Sequence, residues 1–245
     1  MSDSTRRRVV IATSGPGDLR GLAAVLDRRG SDVLLLEDAR DGAPMGTGPG
    51  QHFDWNARSR ETTRQSVDAL LAAAGDPDAV VVRLWPDRAN LGLAVADLDD
   101  EAWRDATGTV ALRTIHVLQV LAASLRRSRA SVVFVGPSFS LVGAAGLTPL
   151  VTLLETQRGL MKSLARQWGR HGITCNWVSL EAGELWPGFG RCKLPSRMEA
   201  IPVPLGRRPN ASEDLAGVVE FFAGGAGRSL TGTTITLDGG EWMLP

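Results

Sequence analysis

Few residues in this chain have chemistry to offer, and they fall into three groups. The first is a glycine-bearing turn, Thr13-Ser14-Gly15-Pro16-Gly17-Asp18, which follows the apolar run Val9 to Ala12 and precedes a helical pattern through Leu19, Leu22, Ala23 and Leu26. A strand, a glycine turn and a helix in that order is how a dinucleotide-binding βαβ unit opens: the backbone and the helix N-terminus approach a pyrophosphate there. The second is the acidic pair Glu37-Asp38, which closes the next apolar run, Asp32 to Leu36, where such units bind the ribose hydroxyls. The third is the set of His52, His116, His171, Cys175 and Cys192. Their spacing gives no metal-ligand pattern, no disulfide framework and no Ser/His/Asp arrangement.

The glycine turn carries its own counterargument. Asp18 is the expected N-cap of the helix that follows, and its carboxylate would lie where a phosphate should sit. Two anions there repel. The turn therefore reads first as a tight strand-to-helix connection that binds nothing, with a displaced binding mode as the alternative. Gly15, Gly17 and Glu37 remain as vestigial cofactor-binding candidates.

The elements that must position these groups follow from the hydrophobic pattern. Apolar runs at Val9 to Ala12, Asp32 to Leu36, His52 to Trp55, Asp78 to Val82, Val132 to Val135 and Ile173 to Val178 read as strands. Helical patterns fill Leu19 to Gly30, Ser59 to Ala74, Glu101 to about Arg127 and Leu147 to His171, the last ending in a basic turn and Gly172. Ser212 before Glu213-Asp214 reads as the N-cap of a final helix. Asp41 to Gly50 is a Gly/Pro loop, expected to be a mobile surface segment.

With 245 residues, 43% of them apolar and a formal net charge of zero, the chain can bury one α/β core and has no global field to attract nucleic acid. The N-terminus lacks the apolar stretch of a leader, and no unbroken run of about 18 apolar residues occurs. The expected location is cytoplasmic, with neither nucleic acid nor membrane as partner.

The stretch from Ser131 to Trp177 carries a family resemblance. Gly143, Gly146, Gly159, Leu160, Lys162-Ser163-Leu164-Ala165, Gly172-Ile173 and Asn176 are similar, without a gap, to the centre of the short-chain dehydrogenase/reductase family. Further on, Pro204-Leu205-Gly206-Arg207, Glu213-Asp214-Leu215-Ala216, Leu230-Thr231-Gly232 and Leu237-Asp238-Gly239-Gly240 resemble its last helix and strand. The resemblance implies an α/β chain: an N-terminal arm over residues 1–8, disordered, then a single Rossmann-like, doubly wound domain over 9–245 with a seven-stranded parallel sheet flanked by helices. It also implies that Asp54 stands where the family accepts from the adenine amino group.

The family's chemistry does not follow in the same register. Its catalytic Ser falls on Pro137, its Tyr on Leu150, its Lys on Leu154 and its Asn on Val110, or on Thr109 or Ala111 with one residue of slack. The chain contains no tyrosine. The three glycines of the family's turn become Ser14, Asp18 and Arg20, the Asn-Asn-Ala-Gly after the fourth strand becomes Val82-Arg83-Leu84-Trp85-Pro86, and the Pro-Gly after the sixth becomes Leu180-Glu181. Leu has no proton to give, so a wall of Leu147, Leu150, Leu153 and Leu154 is expected at the former reaction centre. Ser138, Ser140 and Arg158 lie nearby, although arginine is a poor proton shuttle.

Glu184 to Pro204, with Trp186, Phe189, Arg191, Lys193 and Arg197, falls in the region that covers the substrate in the family it resembles: either a clamp for an acyl thioester or phosphate-bearing ligand, or a disordered or interface loop. Two readings stand. One is a catalytically degenerate subunit, with no cofactor and no catalytic residue, serving as a structural or regulatory partner in a homo-oligomer or in a hetero-oligomer with an active paralogue. The other is an atypical NAD(P)-dependent oxidoreductase acting on a hydroxyacyl or ketoacyl substrate.

Overall fold

A computed structural model describes residues 6–15, 17, 19–38, 48–57, 59–86, 95–186 and 203–243. Seven strands, β1 Arg8–Ser14, β2 Asp32–Glu37, β3 Gln51–Asp54, β4 Ala79–Leu84, β5 Ser131–Pro137, β6 Thr174–Leu180 and β7 Thr234–Leu237, form one sheet in the order β3-β2-β1-β4-β5-β6-β7. Every adjacent pair is parallel. The α/β doubly wound architecture expected from the sequence is the one observed. The central strands are buried along their whole length, β4 and β5 at every residue, because helices cover both faces.

The helices are α1 Arg20–Arg28, α2 Arg60–Ala74, α3 Asp100–Trp103, α4 Val110–Ser128, α5 Thr148–Trp168, α6 Ala182–Leu185 and α7 Glu213–Ala223. α1 packs with α7, and α4 packs with both α2 and α5. A π-helical turn over Arg104–Thr109 joins α3 to α4, so Asp100–Ser128 runs as one helical segment. By length and composition this segment could cross a membrane, but half of its most apolar window is buried in the fold. Its buried stripe, including Val110, Val117, Leu118, Leu121 and Leu125, accounts for that apolarity.

Two capping expectations are corrected. The cap position of α1 is Leu19, which makes no side-chain cap bond; Asp18 itself lies outside the described residues. Ser212 precedes α7 in a helical conformation and caps nothing. Asn210 does that work, its Oδ1 accepting from the amides of Ser212 at 2.8 Å and Glu213 at 2.9 Å. Ser59 caps α2 in a reciprocal box with Thr62.

The arm expected over residues 1–8 is tied down at its end. Arg6 pairs with Asp32, Arg7 donates to the Glu220 carbonyl, and Arg8 already belongs to β1, its amide donating to Asp78 at 2.8 Å. The loop at 41–47 and Cys192 lie outside the described residues.

The sheet's C-terminal edge is set by one close packing. A Cβ on Gly136 would run into the Trp177 indole. The vacancy lets that ring lie flat against β5, stacked on Phe134 at 6.2 Å and 9°. Gly136→Ala should therefore lower the unfolding free energy by about 1–3 kcal/mol, measured by urea denaturation, because a filled core has no room for the added methyl.

Candidate functional site

The strand order reverses between β1 and β4: the chain builds outward to β2 and β3, then returns to the other side of β1. In open α/β sheets a ligand crevice lies at the carboxyl ends of the strands at such a point. Here that edge holds Arg83, at the fifth position of β4 and 0% exposed. Its Nη1 donates to Thr13 Oγ1 at 2.9 Å and reaches the carbonyls of Gly17 at 3.3 Å and Ser14 at 3.4 Å. Its Cζ lies 4.4 Å from the Trp85 ring centroid, a cation–π contact. Burying a guanidinium is costly unless protein oxygens replace water, and β1 and the glycine turn supply three to Nη1, while among the described residues none accepts from its buried Nε.

Gly15 and Gly17, two of the four cofactor candidates, line this edge with φ of +79° and +81°. A Cβ on Gly15 would sit 2.7 Å from the Trp85 carbonyl oxygen. One on Gly17 would collide with the Leu185 carbonyl oxygen and lie 3.0 Å from Arg83 Nη2. Both glycines are thus packed against the chain itself, Gly15 by Trp85 just beyond β4 and Gly17 by Leu185 of α6 and Arg83 of β4.

Glu37 and Asp54 end neighbouring strands and face each other in register. The Glu37 carboxylate is engaged on both oxygens, by Arg20 Nε at 3.3 Å and His52 Nδ1 at 3.0 Å. Beside it Asp38 pairs with Arg113 at 3.5 Å, both side chains about 95% buried. Asp54 is exposed.

The second half of the edge, at β5 and α5, is apolar. Pro137 ends β5 in full burial; Leu147 and Leu150 are 1% exposed, Leu153 and Leu154 0%. Val110 is 1% exposed, with Thr109 and Ala111 partly buried beside it. Of the groups named as possible replacements, Ser138 and Ser140 are buried, and Arg158, like its neighbour Gln157, is held by other elements. Arg158 binds both Glu155 oxygens, donates to Thr234 Oγ1 at 3.1 Å and to Ser140 Oγ at 2.8 Å, and lies 4.5 Å over the Trp177 ring. Gln157 donates to the Leu84 carbonyl at 2.9 Å and to Thr114 Oγ1 at 3.0 Å, tying α5 to β4 and α4. Sequence reasoning missed Arg83, Arg113 and Gln157. Arg83 alone left a signal, a charge inside the apolar run Val80 to Leu84.

Among the described residues no histidine stands free at the apolar end. His171 accepts from Arg170 at the far end of α5, and His52 is bound to Glu37. Burial, and secondarily the Arg60 charge, hold the His116 imidazole below its ordinary value. Burial pushes the Cys175 thiol up to about 12, so it is neither nucleophile nor ligand. Among the described residues no group of three or more His, Cys, Asp or Glu could hold a metal ion.

A family profile described as enoyl-(acyl carrier protein) reductase matches residues 20–241. The chain belongs to the short-chain dehydrogenase/reductase family. It is 28% identical over 239 residues to (3R)-3-hydroxyacyl-CoA dehydrogenase of Mus musculus, covering 92% of this chain and 85% of that one. To 3-oxoacyl-(acyl-carrier-protein) reductase FabG of Escherichia coli it is 24% identical over 238 residues, covering 92% and 93%. A short-chain type dehydrogenase/reductase from Mycobacterium ulcerans shares the fold, with a TM-score of 0.74, 22% identity, and coverage of 97% of this chain and 90% of that one.

This family normally binds NAD(P). The residues described at the short-chain dehydrogenase edge of this chain do not fit a dinucleotide as they are folded: the Leu185 carbonyl and the Arg83 guanidinium occupy the cradle along Gly17, and Glu37 is already paired.

Two outcomes follow. Arg83→Ala should cost about 3 kcal/mol in chemical denaturation, since it leaves a cavity and strands the Thr13, Ser14 and Gly17 acceptors; Arg83→Met, which keeps the volume, should cost less. For His116 the lowered folded value means that the unfolded chain takes up its proton first as pH falls. Stability is then complete above about pH 6.5 and declines as pH drops towards the folded value. His116→Gln should lose less stability than the parent between about pH 7.5 and about pH 5.5, followed by thermal melts.

Proposed function

We propose that this chain is a catalytically degenerate short-chain dehydrogenase/reductase subunit, a structural or regulatory partner in a homo-oligomer or in a hetero-oligomer with an active paralogue, with no hydride transfer of its own. One observation carries the reading: Leu150 and Leu154, fully buried one turn apart on α5, stand where the family resemblance puts the proton-donating Tyr and the Lys that lowers its pKa. A hydrocarbon surface neither donates a proton nor stabilises a developing oxyanion. Pro137 at the Ser position and Val110 at the Asn position extend the same loss. Gly15, Gly17, Glu37 and Asp54 are then remnants of a cofactor site, and no dinucleotide serves as a working cofactor.

The surfaces available for assembly support the partner role. Trp103 and Leu112, on the α3–α4 segment, are 38% and 55% exposed. Phe221 on α7 is 39% exposed, Leu230 beyond it 37%, and β7 is an edge strand half-exposed along its length. Apolar groups beside an open strand edge favour association. The zero net charge and the family's soluble relatives support a cytoplasmic setting without nucleic acid or membrane.

A second reading has its own support. The mouse and Escherichia coli relatives are named for hydroxyacyl and oxoacyl substrates, so an atypical NAD(P)-dependent oxidoreductase acting on a hydroxyacyl or ketoacyl thioester is the alternative. The two part in one assay. Purified protein incubated with a 3-oxoacyl-CoA and NADH or NADPH should oxidise no nucleotide above the buffer rate, and native mass spectrometry should show a dimer or larger species. Sustained turnover would establish the alternative, and a monomer that recruits no paralogue would remove the partner role.

A further inference from the structure

We propose that the chain supplies its own occupant for the dinucleotide crevice: α6 and the Arg83 guanidinium seal the Gly15–Gly17 turn, so that the fold is complete without nucleotide. This deepens the reading above, from a cofactor that does no work to a cofactor that is shut out.

Two sets of contacts carry it. From inside, Arg83 binds the Thr13 hydroxyl and the Ser14 and Gly17 carbonyls and lies against Trp85, so its cation is seated directly beneath the turn. From above, α6 sits on the turn itself. Leu185 is 0% and Trp186 5% exposed, and the Leu185 carbonyl takes the place that a side chain on Gly17 would need.

The roof is fastened on its outer side. Glu181 caps α6, accepting from the Glu184 amide at 3.2 Å, and its other oxygen pairs with Arg208 Nη1 at 3.2 Å. Arg208 also reaches Glu241, 3.6 Å away. Glu184 Oε2 accepts from the Ala211 amide at 3.0 Å. Next to Ala211, Ser212 packs against Gly21 of α1, where any side chain would collide with its hydroxyl. Thus α6 is clamped between the glycine turn and the Val203–Ser212 segment, and that segment is seated on the first turn of α1. A nucleotide could enter only by lifting α6 and breaking these bonds.

Hydrogen exchange read by mass spectrometry on the full-length protein tests this without relying on activity. Peptides spanning 180–186 should exchange at least about 100-fold more slowly than an unstructured chain, and NADH or NADPH at about 1 mM should change neither that protection nor the melting temperature. Arg208→Ala should loosen the clamp and speed exchange in this segment about fivefold, with β1 and β4 unchanged. Three results would overturn the proposal: unstructured exchange rates at 180–186 in the parent protein, a slowing of that segment by nucleotide, or a nucleotide-induced rise in melting temperature of about 5 °C or more. If nucleotide binds but the oxoacyl assay stays silent, the sealed crevice fails while the degenerate-subunit reading stands. Turnover in that assay would overturn both, since a nucleotide that is oxidised must first be admitted.

Discussion

A positive charge with no access to water, at the point where the sheet reverses its order, constrains the rest of this molecule. Arg83 is 0% exposed, and transfer of such a cation out of water is costly unless protein oxygens replace the hydration shell. Thr13, Ser14 and Gly17 provide oxygens from one side. The Trp85 face provides a further electrostatic surface from another. Gly17, whose carbonyl Arg83 reaches from below, is also the residue against which the Leu185 carbonyl of α6 lies. The closed crevice and the buried arginine are one arrangement seen from two directions.

The same device recurs at the other end of the edge. Arg158 lies over Trp177 as Arg83 lies beside Trp85, and it too is filled with local acceptors, the Glu155 carboxylate, Ser140 and Thr234. In each case a cation that could have met a substrate or cofactor is turned inward and used to join elements: β4 to the glycine turn in one, α5 to the β5 loop and β7 in the other. Between them stands the apolar surface of Leu147, Leu150, Leu153 and Leu154. The edge is thus cationic at both ends, each cation bound by the fold's own oxygens, and hydrocarbon in the middle.

Much of the architecture was legible in the sequence because strands covered on both faces read as continuous apolar runs, and those runs marked six of the seven strands to within about two residues. The family-like motif near the C-terminus marked the seventh. The helix from Ser59 to Ala74 was legible because its apolar pattern is local. The errors came where a distant group competes with a local one. Ser212 is the right residue type in the right place, but Asn210 takes the exposed amides and Ser212 is pressed against Gly21. The seat of Arg83 depends on partners some 70 positions away in sequence, and no local pattern encodes them. A charge in a buried run announced that something must bind it, without saying what. The contacts of Glu37 were hidden for the same reason, since its partners Arg20 and His52 sit on separate elements.

The family-like residues that remain have physical work independent of redox chemistry. Asn176 sits inside β6 with its amide donating to the Leu230 carbonyl at 2.9 Å and its oxygen accepting from the Thr233 amide at 3.2 Å. It thereby fixes the entry to β7, and so the position of the sheet's open edge. Gly172, at φ +76°, ends the turn after α5 and makes room for the Arg129 stem, which would press within 3.2 Å of any side chain there. Asp238 binds the amides of Gly240 and Trp242, shaping the turn that follows β7. All three act on strand ends and on the final edge of the sheet, away from Leu150 and Leu154. A chain that needs its outer edge placed accurately has reason to keep such residues whether or not it handles a nucleotide, so the family motifs after Ser131 argue for the fold and say little for the reaction.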